Sequence, residues 1–159
     1  MSDLDAELDA EWIKERPVMV HTTATRRLEW DAAHRVTLHG GKCRNLHGHR
    51  YAAEVTVRGQ VPEDGMVLDF GIIKTELGGW IDDNWDHGAL LSYRDAELHD
   101  LCDKQGWKVW IMSGEPTAET IAEELFIQAT NMVDGKGLAV ERIRVYETPN
   151  CYAEVVRHD

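Results

Sequence analysis

Apolar side chains at every second position, Tyr51, Ala53, Val55 and Val57, mark a strand with one buried face, because successive residues of a strand point to opposite sides. That strand is read as Arg50 to Val61, and Val18 to His34, rich in valine, threonine and aromatic residues, as the one before it; together they predict a hairpin whose loop carries Cys43. Pro62-Glu63-Asp64-Gly65 is a turn. The period then changes: Phe70, Ile73, Leu77 and Trp80 recur at three and four residues, which predicts a helix with an apolar stripe, capped by Asp69 and weakened at Gly78-Gly79. Asp95 to Gly106 reads as a short helix with Leu98, Leu101 and Cys102 inward, and Trp107 to Ile111 as a short strand. A second long helix opens at Pro116-Thr117 with Ile121, Leu125, Ala129 and Met132 as its stripe. Gly135 and Gly137 end it, and Ala139 to Thr148 and Cys151 to Val156 form a last hairpin around Pro149-Asn150. The order ββ, α, α, ββ predicts an α+β domain, a four-stranded antiparallel sheet with two long helices on one face. Its open edges invite oligomerisation.

A chain of 159 residues suits one domain. We read residues 17–159 as that domain and 1–16, with Asp3, Asp5, Glu7, Asp9 and Glu11, as an acidic extension, helical or disordered. Nothing apolar approaches the roughly 20 residues of a membrane span, and the acidic start lacks the features of a signal peptide. Cys43, Cys102 and Cys151 are odd in number and far apart, which suits reduced thiols in the cytoplasm. A formal charge of −12 argues against nucleic acid as a general partner, and the lack of an apolar span against a membrane. The charge is uneven, however. No acid occurs from Ala32 to Ala53, where Arg35, Lys42, Arg44 and Arg50 all fall, so a local basic field there points to an anionic small molecule.

The chemistry concentrates in the same stretch. His47 and His49 are two apart and share a strand face, and His34 at the end of the preceding strand supplies a third imidazole. Three imidazoles leave one tetrahedral position of a Zn²⁺ open, the arrangement of a catalytic metal. Cys43, flanked by Lys42 and Arg44, reads as a base. The alternative is a closed, non-catalytic zinc module with Cys43 as the fourth ligand. Asp86-His87 places a carboxylate next to an imidazole, which can hold its tautomer and make it a proton carrier.

Trp30-Asp31-Ala32-Ala33-His34-Arg35 followed by Cys43-Arg44-Asn45-Leu46-His47-Gly48-His49-Arg50-Tyr51 resembles the signature of the 6-pyruvoyl-tetrahydropterin and 6-carboxy-tetrahydropterin synthase family. The resemblance runs from about Thr25 to Val156 and takes in Asp86-His87, Pro116-Thr117 and Glu147. Three residues between Cys43 and His47 resemble the carboxy branch; the pyruvoyl branch has a longer gap. The resemblance implies the T-fold, subunit barrels built as trimers or hexamers, and active sites between subunits. It implies zinc on His34, His47 and His49, proton transfer by Cys43 and by Asp86-His87, and a pterin held by Glu147 and Thr117. Glutamate suits that task because a 2-aminopyrimidinone offers two parallel N–H donors to one carboxylate. Thr120 stands where the family has asparagine. The implied reaction converts 7,8-dihydroneopterin triphosphate to 6-carboxytetrahydropterin, releasing acetaldehyde and triphosphate, on the way to 7-deazaguanines. The pyruvoyl synthase reaction is the alternative. Lys42 and Arg44 are our candidates for the triphosphate.

Overall fold

The computed structural model describes residues 21–158; the acidic extension and the start of the first strand lie outside them. Two long strands, β1 (Thr22–His34) and β2 (His47–Gly59), pair antiparallel along their whole length. Strand β2 begins at His47, three residues earlier than the apolar alternation suggested, because the histidines continue its pleat. The chain then forms helix α1 over residues 70–84, strand β3 (Gly88–Ser92), helix α2 (Ala96–Gln105), strand β4 (Val109–Met112), helix α3 (Ala118–Val133) and the hairpin β5 (Ala139–Thr148) and β6 (Cys151–Val156).

The class is α+β, but the sheet is not the four-stranded antiparallel one expected. Among the described residues it has six strands in the order β4-β3-β1-β2-β5-β6 and is mixed: β3 runs parallel to β1, and β4 parallel to β3. Residues 88–92 give no strand signal in the sequence because five residues buried on both sides show no alternation. Strand β4 needs a helix between itself and its parallel neighbour, and α2 supplies the crossover.

Both long helices pack on one face of this sheet. Ile73, Leu77, Ile81 and Trp85 from α1 and the residue after it, and Ile121, Leu125, Ala129 and Met132 from α3, share a buried cluster with Leu28, Trp30, Tyr51, Ala53, Val55, Val57, Ile143 and Val145. Burying such side chains contributes roughly 1.5–3 kcal/mol each. The expected α1 stripe needs correction: Phe70 is exposed, and Ile81 takes the inward place. The cause is a π-helical segment, Ile73–Gly78, which rotates the later turns of α1 relative to a regular helix. Asp69 does cap α1, its side chain accepting from the Gly71 N–H at 2.7 Å. Leu101 of α2 is exposed, while Leu98 and Cys102 are buried against Leu91. No helix among the described residues is long and apolar enough to cross a membrane.

Candidate active site

Register builds the histidine cluster. His34 is the direct cross-strand partner of His47, and His49 that of Ala32, so all three imidazoles fall on the core face, beyond Tyr51. Their ligand atoms lie within 4.8 Å of one another. Two backbone carbonyls orient them: Pro116 accepts from His34 Nδ1 and Asn45 from His47 Nδ1, both at 2.7 Å. With both protons so placed, the two Nε2 lone pairs face each other at 3.1 Å. His49 Nε2 is buried without a hydrogen-bond partner among the described residues. A buried nitrogen with no partner is costly, and a cation held between His49 Nε2 and the two facing Nε2 lone pairs removes that cost, so the residues fit a metal ion. Burial holds His34 and His49 below the usual histidine range, favouring the neutral form that metals bind. The ring of Tyr51 lies edge-on to both, with centroids at 5.8 and 5.6 Å. Gly48 separates two ligands for a steric reason: a β-carbon there would meet the Ala32 carbonyl oxygen at 3.1 Å.

Cys43, Thr117 and Glu147 meet in one cavity of about 260 Å³, bordered also by His34, Val36, His39 and Cys151. Cys43 sits on a 3₁₀ turn, Lys42–Arg44, inside the β1–β2 loop, and it is not one of the clustered ligand atoms. Glu147, on the core-facing phase of β5, brings Oε1 to 3.5 Å from His34 Nε2 and 3.9 Å from His49 Nε2. Thr117 is the N-cap residue of α3, and its hydroxyl makes no capping bond. The loop is tied to α3 by Glu115, whose carboxylate accepts from the Thr37 hydroxyl at 2.6 Å. Lys42 and Arg44 are exposed, flank the cavity without lining it, and make no ion pair among the described residues.

Asp86 and His87 stand elsewhere. Asp86 Oδ2 accepts from His87 Nδ1 at 2.7 Å and its Oδ1 from the Asp31 N–H at 2.9 Å. Burial pushes the Asp86 carboxyl up, but the Asp31 amide and His87 outweigh it and hold the group below its ordinary range. His87 adopts φ of 57° and is largely solvent-facing. His87 borders a second cavity, about 490 Å³, lined also by Asp31, Ala33, Gly48, His49 and Arg50. The two cavities share no lining residue, yet each includes one histidine of the cluster, His34 in one and His49 in the other.

Several contributors went unread in the sequence: the Pro116 and Asn45 carbonyls, Glu115, the Asp31 amide, and Lys108, whose Nζ donates to the Asp82 and Asp86 carbonyls. Backbone partners leave no signal in side-chain chemistry. Arg35 and Arg50, cations of the acid-free stretch, are engaged by Asp95 and by Asp31 with Glu29.

Known proteins share both the sequence family and the fold. Residues 23–158 match the family described as 6-pyruvoyl tetrahydropterin synthase. A 6-carboxy-5,6,7,8-tetrahydropterin synthase of Rickettsia bellii is 41% identical over 137 residues, covering 82% of this chain and 97% of its own. A 6-pyruvoyl tetrahydropterin synthase of Caenorhabditis elegans superposes with TM-score 0.65 at 25% identity over 88% of this chain and 98% of that one. An uncharacterised protein of Wolinella succinogenes shares the fold at TM-score 0.76 and 20% identity, over 87% and 99% of the two chains. The chain therefore belongs to the 6-pyruvoyl tetrahydropterin synthase family.

Proposed function

We propose that the protein is a zinc-dependent 6-carboxytetrahydropterin synthase, a lyase converting 7,8-dihydroneopterin triphosphate to 6-carboxytetrahydropterin with release of acetaldehyde and triphosphate. The observation that carries this is a carboxylate beside a three-histidine cluster in a cavity that also holds a thiol: Glu147, His34 and Cys43. His34, His47 and His49 would hold the zinc, which when bound supplies Lewis-acid polarisation of substrate oxygens. Glu147 accepts the paired N–H groups of the pterin ring, and Thr117 offers a hydroxyl not used in capping. Cys43 takes a proton from the side chain of the substrate. His87 moves a proton at Nε2, since its Nδ1 is held by Asp86. The family resemblance and the sheet edges at β4 and β6 support a homo-oligomer, a trimer or hexamer with sites completed between subunits. The product would feed 7-deazaguanine synthesis in the cytoplasm.

Cys43 stands outside the ligand cluster, which speaks against a closed structural zinc site. Zinc-loaded protein incubated with dihydroneopterin triphosphate should yield acetaldehyde. Loss of triphosphate with the carbon chain retained would make the pyruvoyl synthase reaction the correct one.

A further inference from the structure

We infer that His39 is a substrate-binding residue, a fixed neutral N–H donor for the phosphate-bearing tail of the substrate; this rests on the function proposed above. His39 lines the cavity of Cys43 and Glu147, yet the reaction as proposed leaves it idle. Its tautomer is set by geometry: Nδ1 accepts from the Gly41 N–H at 2.9 Å, and a backbone amide can only donate. The ring proton therefore resides on Nε2, the one nitrogen left to meet a ligand. Gly41 also makes room for the ring, because a β-carbon there would stand 3.0 Å from His39 Cε1 and 3.3 Å from Nδ1. The backbone at Gly41 is extended, so alanine is tolerated there in every respect except its contact with this imidazole.

The cavity walls decide which part of the substrate reaches His39. Glu147, Cys151, Tyr152 and Ala153 make the β5–β6 wall, and with the ring anchored on Glu147 the tail must run toward the other walls. Glu119 on the α3 wall repels an anion, so the tail runs along the β1–β2 loop, which carries His39, Lys42 and Arg44. An N–H donated to a phosphate oxygen is charge-assisted.

The test uses zinc-loaded full-length protein carrying His39→Ala, His39→Gln, Gly41→Ala or His39→Ala with Gly41→Ala, with metal content matched to wild type. His39→Ala should raise KM for dihydroneopterin triphosphate about tenfold, the fold-change of one lost charge-assisted bond, with kcat little changed. Binding of dihydroneopterin, which lacks the phosphates, should not change. His39→Gln, whose amide N–H replaces Nε2–H, should recover most of the loss. Gly41→Ala should raise KM too, and the double variant should be no worse than His39→Ala alone, since both act through one ring. An unchanged KM in His39→Ala, equal weakening for both ligands, no rescue by glutamine, or additive losses in the double variant would overturn the inference alone. Wild-type protein that does not turn over the triphosphate would overturn the proposed function and this inference together.

Discussion

At the scale of single residues, the proposed metal ligands and the proposed base occupy separate places. His34, His47 and His49 converge within 4.8 Å while Cys43 does not join them, so the two roles should come apart on substitution. His47→Ala and His49→Ala leave two imidazoles, too few to hold zinc firmly, and each should purify with little metal by elemental analysis. Full occupancy in either variant would mean that other residues ligate. Cys43→Ala should keep its zinc and lose turnover by about 10²-fold or more, the usual size of a general acid–base contribution. Zinc lost together with the thiol would instead mark Cys43 as a ligand.

At the scale of elements, Arg35 joins the β1–β2 loop to α2, chiefly through Asp95 and at 3.8 Å through Glu97. Asp95 is buried, forms a two-pronged pair with Arg35, and also caps α2 by accepting from the Leu98 N–H at 3.3 Å. The Arg35 guanidinium holds the Asp95 carboxyl below its usual range, against burial. A depressed folded-state pKa means stability present above the unfolded value, about 3.9, and lost as pH falls through the folded value. Asp95→Asn keeps a capping side chain but removes the buried charge, leaving Arg35 only its longer contact to the exposed Glu97, and should cost about 3 kcal/mol at pH 7. Urea unfolding measured from pH 7 to pH 3 should show a steeper fall below pH 4 for wild type than for the variant. Equal slopes would show that Asp95 is not what titrates.

At the scale of the whole molecule, charge sets an obstacle. A chain with a formal charge of −12 repels a triphosphate at long range unless local cations reverse the field at the site. Among the cations of the acid-free stretch, Arg35 and Arg50 are spent on carboxylates, whereas Lys42 and Arg44 are exposed beside Cys43 with no ion pair among the described residues. Lys42→Ala with Arg44→Ala should therefore lower kcat/KM about tenfold or more, and the loss should shrink for a substrate without phosphates. Unchanged kcat/KM would place the triphosphate on another surface, such as a neighbouring subunit.

Local pattern by itself determined the long strands, the α3 stripe, the Asp69 cap and the last hairpin, because periodicity and capping act over a few residues and leave their record in side-chain type. The spacing of His47 and His49 likewise announced imidazoles on one strand face that could hold a metal, since ligand chemistry admits few residues. Tertiary structure alone decided what depends on distant segments. Strand β4 was legible as an alternating stretch and β3 was not, but the parallel pairing by which both join the sheet is set by tertiary structure alone. The π-helical segment re-aimed the later turns of α1 and put Ile81 in the inward place expected of Trp80. His34 meets His47 only because β1 and β2 pair in one register, and Pro116 orients it from 82 positions away. Asp86-His87 was legible as a pair, but the side of the histidine cluster it occupies is set by its docking on the Asp31 backbone. Backbone groups are the same at every residue, so the contacts they make are written in the fold and not in the letters.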